Sequence, residues 1–190
     1  VRPSIVEADR KTARAHFGMD DRPMILSFGG SLGARRINET VADLICDHCA
    51  QGTVYHYHGM GRDGARWMPA LLEEKGVHLP DYPQLRVTEY IHDMDLCLAA
   101  ADLVICRAGA TTLSELEVMG KPSVLIPSPN VTENHQYHNA MTLVRRGAAV
   151  VIEEKELTSQ RLIDEVWRLL KHPQQLRSMA AAARQGAVSN

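Results

Sequence analysis

The stretch Ile25-Leu26-Ser27-Phe28-Gly29-Gly30-Ser31-Leu32-Gly33-Ala34-Arg35-Arg36 constrains this chain more than any other. An apolar strand runs straight into a glycine-rich turn and out into a helix. Glycines let the main chain turn tightly, while the first helical N–H groups have no partner within the helix and point, along a favourable dipole, at any anion placed there. Gly29, Gly30 and Gly33 do not fit the G-x-G-x-x-G spacing, and no Gly-Lys-Ser/Thr follows, so neither the dinucleotide nor the P-loop fingerprint applies at this turn. A strand-to-helix turn that binds nothing has the same local pattern, so the other loops must decide.

Apolar runs alternate with helical patterns along the rest of the chain. Strands are expected near 24–28, 53–57, 85–88, 102–106, 123–126 and 148–151. Helices are expected near 34–49, 65–75, 94–100, 111–119, 134–146, 159–170 and 173–185. Strands separated by helices imply right-handed crossovers and a parallel sheet covered on both faces, which explains why Leu103-Val104-Ile105-Cys106 is continuously apolar. The expected fold is α/β, a doubly wound, Rossmann-like parallel sheet. With 190 residues, 45% of them hydrophobic, one domain spanning 1–190 is the natural reading. Ligands of such sheets collect outside the carboxyl ends of the strands, so function belongs to the loops that follow them.

Composition removes several classes. Net charge is −2 and basic residues cluster only in pairs such as Arg145-Arg146, which argues against a nucleic-acid partner. No apolar run approaches the roughly 20 residues that cross a bilayer, and Val1-Arg2-Pro3-Ser4 lacks the apolar core of a signal peptide, so a cytosolic chain is expected. The missing initiator Met suggests a domain cut from a longer protein. Four cysteines are too few and too uneven for a disulfide framework. Cys46-Asp47-His48-Cys49 suggests a metal site, but helical spacing puts Cys49 on the buried stripe and Cys46 off it, and no second ligand pair follows. No metal or cofactor is expected.

A second phosphate-compatible turn follows the fourth strand: Arg107-Ala108-Gly109-Ala110-Thr111-Thr112-Leu113-Ser114-Glu115. Thr111 or Thr112 can cap the helix it opens. Glu115, one turn in, either complements the dipole or reaches past the turn to two neighbouring sugar hydroxyls. After the fifth strand, a polar loop ends in His135-Gln136-Tyr137-His138, whose amide and imidazole groups can read hydroxyls. At Tyr90-Ile91-His92-Asp93-Met94, Asp93 can cap the next helix, and Ile91 either packs in the core or offers its main chain to the edge of a base.

One competing motif stands in the second strand's turn. Gly59-Met60-Gly61-Arg62-Asp63-Gly64 matches G-x-G-x-x-G, with Glu89 near the end of the next strand, so a nicotinamide-dependent oxidoreductase domain using Gly59, Gly61 and Gly64 is an alternative. Against it, Arg62-Asp63 puts polar bulk at the turn and the other two glycine loops are left without a role. His56 and His58 share a strand face, where packing or exposure is favoured over chelation.

The 28–35 turn, Tyr90-Ile91-His92-Asp93-Met94, the 106–115 turn and His135-Gln136-Tyr137-His138-Asn139-Ala140 together closely resemble the C-terminal half of the MurG family of glycosyltransferases, over nearly the whole chain. These bacterial enzymes move N-acetylglucosamine from UDP-N-acetylglucosamine to lipid I, giving lipid II in peptidoglycan synthesis. The resemblance implies a GT-B architecture whose C-terminal half holds the donor, with the acceptor half, the general base and the membrane-facing surface in an N-terminal domain absent from this chain. It also implies a longer protein lying peripherally on the inner face of the cell membrane, and an isolated domain that transfers nothing. Carried over by motif, Gly30 and Ser31 would meet the diphosphate and Ile91 the uracil. Ala110, Thr111, Thr112, Leu113 and Ser114 would meet the phosphate and ribose region, Glu115 the ribose hydroxyls, and His135 and Gln136 the sugar, with Arg2 nearby. His135 departs from the Gln pair of many relatives, and Leu32 replaces a frequent Gln. Other UDP-sugar lipid glycosyltransferases and the sugar-nucleotide 2-epimerase share such turns and remain alternatives.

Overall fold

The computed structural model describes residues 3–31, 33–129 and 134–189, with side chains from residue 9 to residue 188. Its order is α1 (Pro3–His16), β1 (Met24–Phe28), α2 (Arg35–Cys49), β2 (Tyr55–Gly59), α3 (Gly61–Gly64), α4 (Met68–Glu74), β3 (Leu85–Thr88), α5 (Met94–Ala100), β4 (Leu103–Cys106), α6 (Ala110–Met119), β5 (Ser123–Leu125), α7 (His135–Arg145), β6 (Ala149–Val151), α8 (Ser159–Leu170) and α9 (Pro173–Ser189). All five strand pairings are parallel, in the order β3-β2-β1-β4-β5-β6. The order reverses between β1 and β4, and that switch opens a crevice at the strands' carboxyl ends.

Alternation along the strands feeds two cores. Ile25, Leu103, Ile105 and Val124 pack under α2, α4 and α8, while Met24, Leu26, Val104, Cys106 and Leu125 pack under α1, α5, α6 and α7. Helices cover both faces, which is the doubly wound architecture the apolar strands imply.

Helix α9 runs four residues past its expected end at 185, and three further elements differ from expectation. Strand β2 lies two residues later than 53–57, because Met24 pairs with Tyr55 and the ladder then carries His56 and His58 inward. The helix expected at 65–75 is the shorter α4, and a separate helical turn, α3, stands before the expected start. Helix α1 was not anticipated at all. Its apolar positions are sparse, and it is held by charge: Arg10 donates to Asp102 at 2.8 Å, and buried Arg14 donates to Ala100 O and Asp102 at 3.2 Å and to Asp20 O at 2.7 Å. Among the described residues, no helix is long and apolar enough to cross a membrane.

Candidate functional site

The switch between β1 and β4 brings two turns side by side. Helix α2 starts at Arg35 with Ala34 as its N-cap, and α6 starts at Ala110 with Gly109 as its N-cap; neither cap supplies a side-chain acceptor. The first backbone bonds of the two helices are Asn38 N–H to Ala34 O and Leu113 N–H to Gly109 O, so the preceding amides of each first turn have no protein acceptor among the described residues. Helix α8, by contrast, is closed in the ordinary way, its Thr158 hydroxyl accepting from Arg161 N–H at 3.1 Å. The expected capping by Thr111 or Thr112 therefore does not occur, because α6 begins before both and they lie inside its first turn. Asp93 does not cap α5 either; its carboxylate is taken by the Arg86 guanidinium, 2.9 Å away, which also holds its pKa below the ordinary carboxylate value. A charge-assisted pair outcompetes a neutral amide.

Both open turns face one hollow of about 610 Å³, lined by residues 28–31 and 33–36, Arg107, Gly109, Thr112, Ser128, Gln136 and Glu154. Gly30 sits at φ +101°, where a β-carbon would meet nothing within 4 Å, so the turn presents bare main chain to open space. Gly33, at φ +96°, is held against the next turn: a β-carbon there would lie 2.6 Å from Met60 O.

Side chains of the hollow bind the loops to each other. Arg107 donates to Ile126 O at 3.3 Å, to Pro127 O at 3.2 Å and to Glu154 Oε1 at 2.8 Å, which ties the β4 loop to the β5 loop and to the segment after β6. Gln136 Oε1 accepts from Ala108 N–H at 3.2 Å and from Ser128 N–H at 2.8 Å. Its amide nitrogen, 4.0 Å from where a Gly109 β-carbon would stand, faces the turn. Among the described lining residues, Arg35, Arg36 and Arg107 outnumber one carboxylate, Glu154, so the wall is net positive, with Arg36 also paired to Glu39 at 3.2 Å.

Of the expected site residues, Gly30, Ser31, Thr112 and Gln136 line this hollow. Ser114 and Glu115 line a neighbouring one of about 280 Å³ between α5 and α6, with Asp95, Leu98, Val118 and Met119. Ala110 and Thr111 are exposed on the first turn of α6, and His135 is exposed at the start of α7. Leu113 is brought to neither hollow: its side chain is 5% exposed within the core and its N–H is bonded to Gly109 O. Ile91 is partly buried. Its side chain packs on the end of β2, 3.1 Å from where a Gly59 β-carbon would be, while its own N–H and C=O have no partner among the described residues. Arg2 lies outside the described residues.

Arg107, Ser128 and Glu154 were missed as site residues. Arg107 had a signal, standing directly after β4; Glu154 had none, being 47 positions away from the arginine it meets.

Among the described residues no three His, Cys, Asp or Glu side chains are grouped to hold a metal ion. Cys49 is buried and Cys46 exposed, as helical spacing implied. Burial, with the Glu115 carboxylate beside it, pushes the Cys106 thiol up to about 12, so it stays protonated and unreactive. In the 59–64 turn, Met60, Gly61 and Arg62 donate their N–H groups to Thr88 O at 2.8 Å, Glu89 O at 2.9 Å and Ser31 O at 2.8 Å. Those are amides a dinucleotide's pyrophosphate would need, so the nicotinamide reading has no cradle here.

The comparisons with known proteins agree with this fold. In Acetivibrio thermocellus, the UDP-N-acetylglucosamine–N-acetylmuramyl-(pentapeptide) pyrophosphoryl-undecaprenol N-acetylglucosamine transferase is 44% identical over 194 residues, covering 100% of this chain and 50% of that protein. The Desulforamulus reducens protein of the same name is 40% identical over 184 residues, covering 96% of this chain and 50% of its own length. The chain thus spans about half the length of these curated relatives. Among solved structures, MurG of Acinetobacter baumannii superposes with a TM-score of 0.73 at 30% identity, over 92% of this chain and 49% of that one. Residues 24–189 match the pattern of the glycosyltransferase family 28 C-terminal domain, and with the two uncapped turns at a parallel sheet's switch point, the chain belongs to that family.

Proposed function

We propose that this chain is the donor-binding half of an inverting N-acetylglucosaminyltransferase, holding UDP-N-acetylglucosamine while an acceptor half, outside this chain, presents lipid I. The observation that carries this reading is the pair of uncapped helix N-termini, α2 and α6, opening on one cationic hollow of about 610 Å³. Two sets of unpaired amides and two dipoles suit a diphosphate, which carries charge on both phosphoryl groups.

In this reading the Ser31 amide and the first turn of α2 take one phosphoryl group and the first turn of α6, from Ala110 to Thr112, takes the other. The free main chain of Ile91 pairs with the uracil edge, and Glu115 accepts from the ribose hydroxyls. Gln136, its oxygen already used, offers its amide N–H groups to the sugar. Displacement at the anomeric carbon places the departing charge on the diphosphate. The same amides stabilise it there, fixed in place before the bond breaks, so that no reorganisation accompanies charge development. The fold itself is shared with many nucleotide-binding proteins, so the ligand class rests on the site and not on the architecture.

Calorimetric titration with UDP, UDP-N-acetylglucosamine, UDP-glucose and NAD tests the proposal. Saturable binding of UDP and UDP-N-acetylglucosamine, weaker binding of UDP-glucose and none of NAD are expected. Binding of NAD, or of no uridine nucleotide, would overturn it.

A further inference from the structure

Two features of the chain have no part in the donor site: the 59–64 glycine turn and three histidines buried beneath it. His48, His56, His58, Ser27 and Asn38 are each 0–1% exposed and form one continuous hydrogen-bonded line between α2, β1 and β2. His48 Nε2 meets His56 Nδ1 at 2.9 Å, His56 Nε2 meets Ser27 Oγ at 2.7 Å, Ser27 Oγ meets His58 Nδ1 at 2.7 Å, and His58 Nε2 meets Asn38 Oδ1 at 2.8 Å. The line ends where Asn38 Nδ2 donates to Met60 O at 2.9 Å.

Its direction is determined by the last link. A carbonyl only accepts, so Asn38 must turn its amide nitrogen to Met60 O and its oxygen to His58. His58 must then donate from Nε2 and accept at Nδ1 from the Ser27 hydroxyl. Ser27 in turn accepts from His56 Nε2–H, and His56 Nδ1 accepts from His48 Nε2–H. Every donor points toward Met60, and the head of the line is left as a bare acceptor. That acceptor, His48 Nδ1, is among the few buried polar atoms with no hydrogen-bond partner. Such a line works only with neutral imidazoles, and burial lowers the pKa of all three, to about 4 for His48 and about 3 for His58.

Met60 O is where this line meets the donor turn. It lies 2.6 Å from the place of a Gly33 β-carbon, and two residues on, Arg62 N–H donates to Ser31 O at 2.8 Å. The Asn38 amide also fills the space a side chain at position 64 would need, 2.3 Å from a Gly64 β-carbon. We infer that the 59–64 turn is a buttress for the anion-binding turn at 30–33, and that Asn38 and His58, acting through the Met60 carbonyl, are positioning residues for the diphosphate. This rests on the donor reading above and extends it to residues that touch no ligand.

The test compares UDP with uridine, which lacks the phosphates, on the intact 190-residue chain and on Asn38→Leu and Ser27→Ala variants. About tenfold weaker UDP binding by Asn38→Leu, with uridine affinity unchanged within about twofold, is expected. Ser27→Ala, a smaller change that reads out the same line should Asn38→Leu not fold, is expected to give a smaller loss of the same selectivity. Nitrogen-15 spectra of the wild-type imidazoles are expected to show the Nε2–H tautomer at His48, His56 and His58. Equal weakening of UDP and uridine, unchanged UDP affinity, or an Nδ1–H tautomer at any of the three would overturn the inference while leaving the donor reading standing. Failure of the wild-type chain to bind UDP would overturn the donor reading and this role with it.

Discussion

Glu115 is exposed on α6, has no protein partner among the described residues, and stands close enough to Cys106 for its charge to act on the thiol. An unpaired carboxylate in the second turn of α6 is what a ribose diol would engage, since one carboxylate can accept from both hydroxyls. Replacing it with Ala is expected to weaken every uridine ligand by about 1–3 kcal/mol in calorimetric titration; a side chain that only complemented the dipole would leave affinity nearly unchanged. Gly33 makes a different prediction, because both its φ of +96° and the contact at Met60 O exclude a side chain. Gly33→Ala is expected to lower stability by about 1–3 kcal/mol in urea unfolding and to weaken UDP binding along with it. At this scale the sequence was informative where spacing met chemistry. Gly30, Ser31 and Thr112 stand at strand ends, and their hollow was legible from the turns alone. Glu154 was not, because its role exists only through a contact across 47 positions. Leu113 reads as part of the motif, yet helical geometry turns it into the core.

Helices α3, α4, α5 and α7 lack a side-chain cap, as α2 and α6 do, so what sets α2 and α6 apart is that their uncapped N-termini open on one hollow. Helix α8 has a side-chain cap and lines no part of the hollow, whereas α2 and α6 have none and face it. Thr158→Ala is therefore expected to cost about 1 kcal/mol of stability and leave UDP affinity unchanged. Gly109→Asp should do the reverse. At φ −68° the position accepts any residue, and a new Asp cap would stabilise α6 by a few tenths of a kcal/mol while placing a negative charge where phosphate must bind. Unchanged or raised thermal stability with at least about tenfold weaker UDP binding is expected; equal affinity would show that α6 does not meet an anion. Helix α1 shows what periodicity misses. Its signals were Pro3 at the first helical position and Gly18 at φ +67° just past the end, with Met19 N–H closing on Arg14 O at 2.9 Å. Its docking depends on Arg10, Arg14 and Asp102, which no count of apolar residues reveals. Strand β2 was displaced in the reading for a related reason: His56 and His58 look like the polar end of a strand until their partners in the interior are known.

For the molecule as a whole, the buried histidines tie stability to pH. Their folded-state pKa values lie below the ordinary 6.5, so as pH falls the unfolded chain takes up protons first. Stability is then complete above about pH 6.5 and is lost as pH falls toward the folded values. At pH 5.5 each histidine removes about 1.4 kcal/mol, and three acting independently about 4 kcal/mol, a large part of a typical domain's total. Urea unfolding at pH 7.5 and 5.5 checks this, and equal stabilities would contradict it. The parallel sheet followed from apolar strands alternating with helices, because burial on both faces leaves that pattern; the strand order and the polar line beneath the 59–64 turn left none. The central claim is that the N-termini of α2 and α6 hold one diphosphate. Amide NMR titration of the chain with UDP tests it most directly. The largest shifts are expected at residues 30–36 and 109–112, saturating together. Shifts concentrated at 59–64, or confined to one of the two turns, would contradict it.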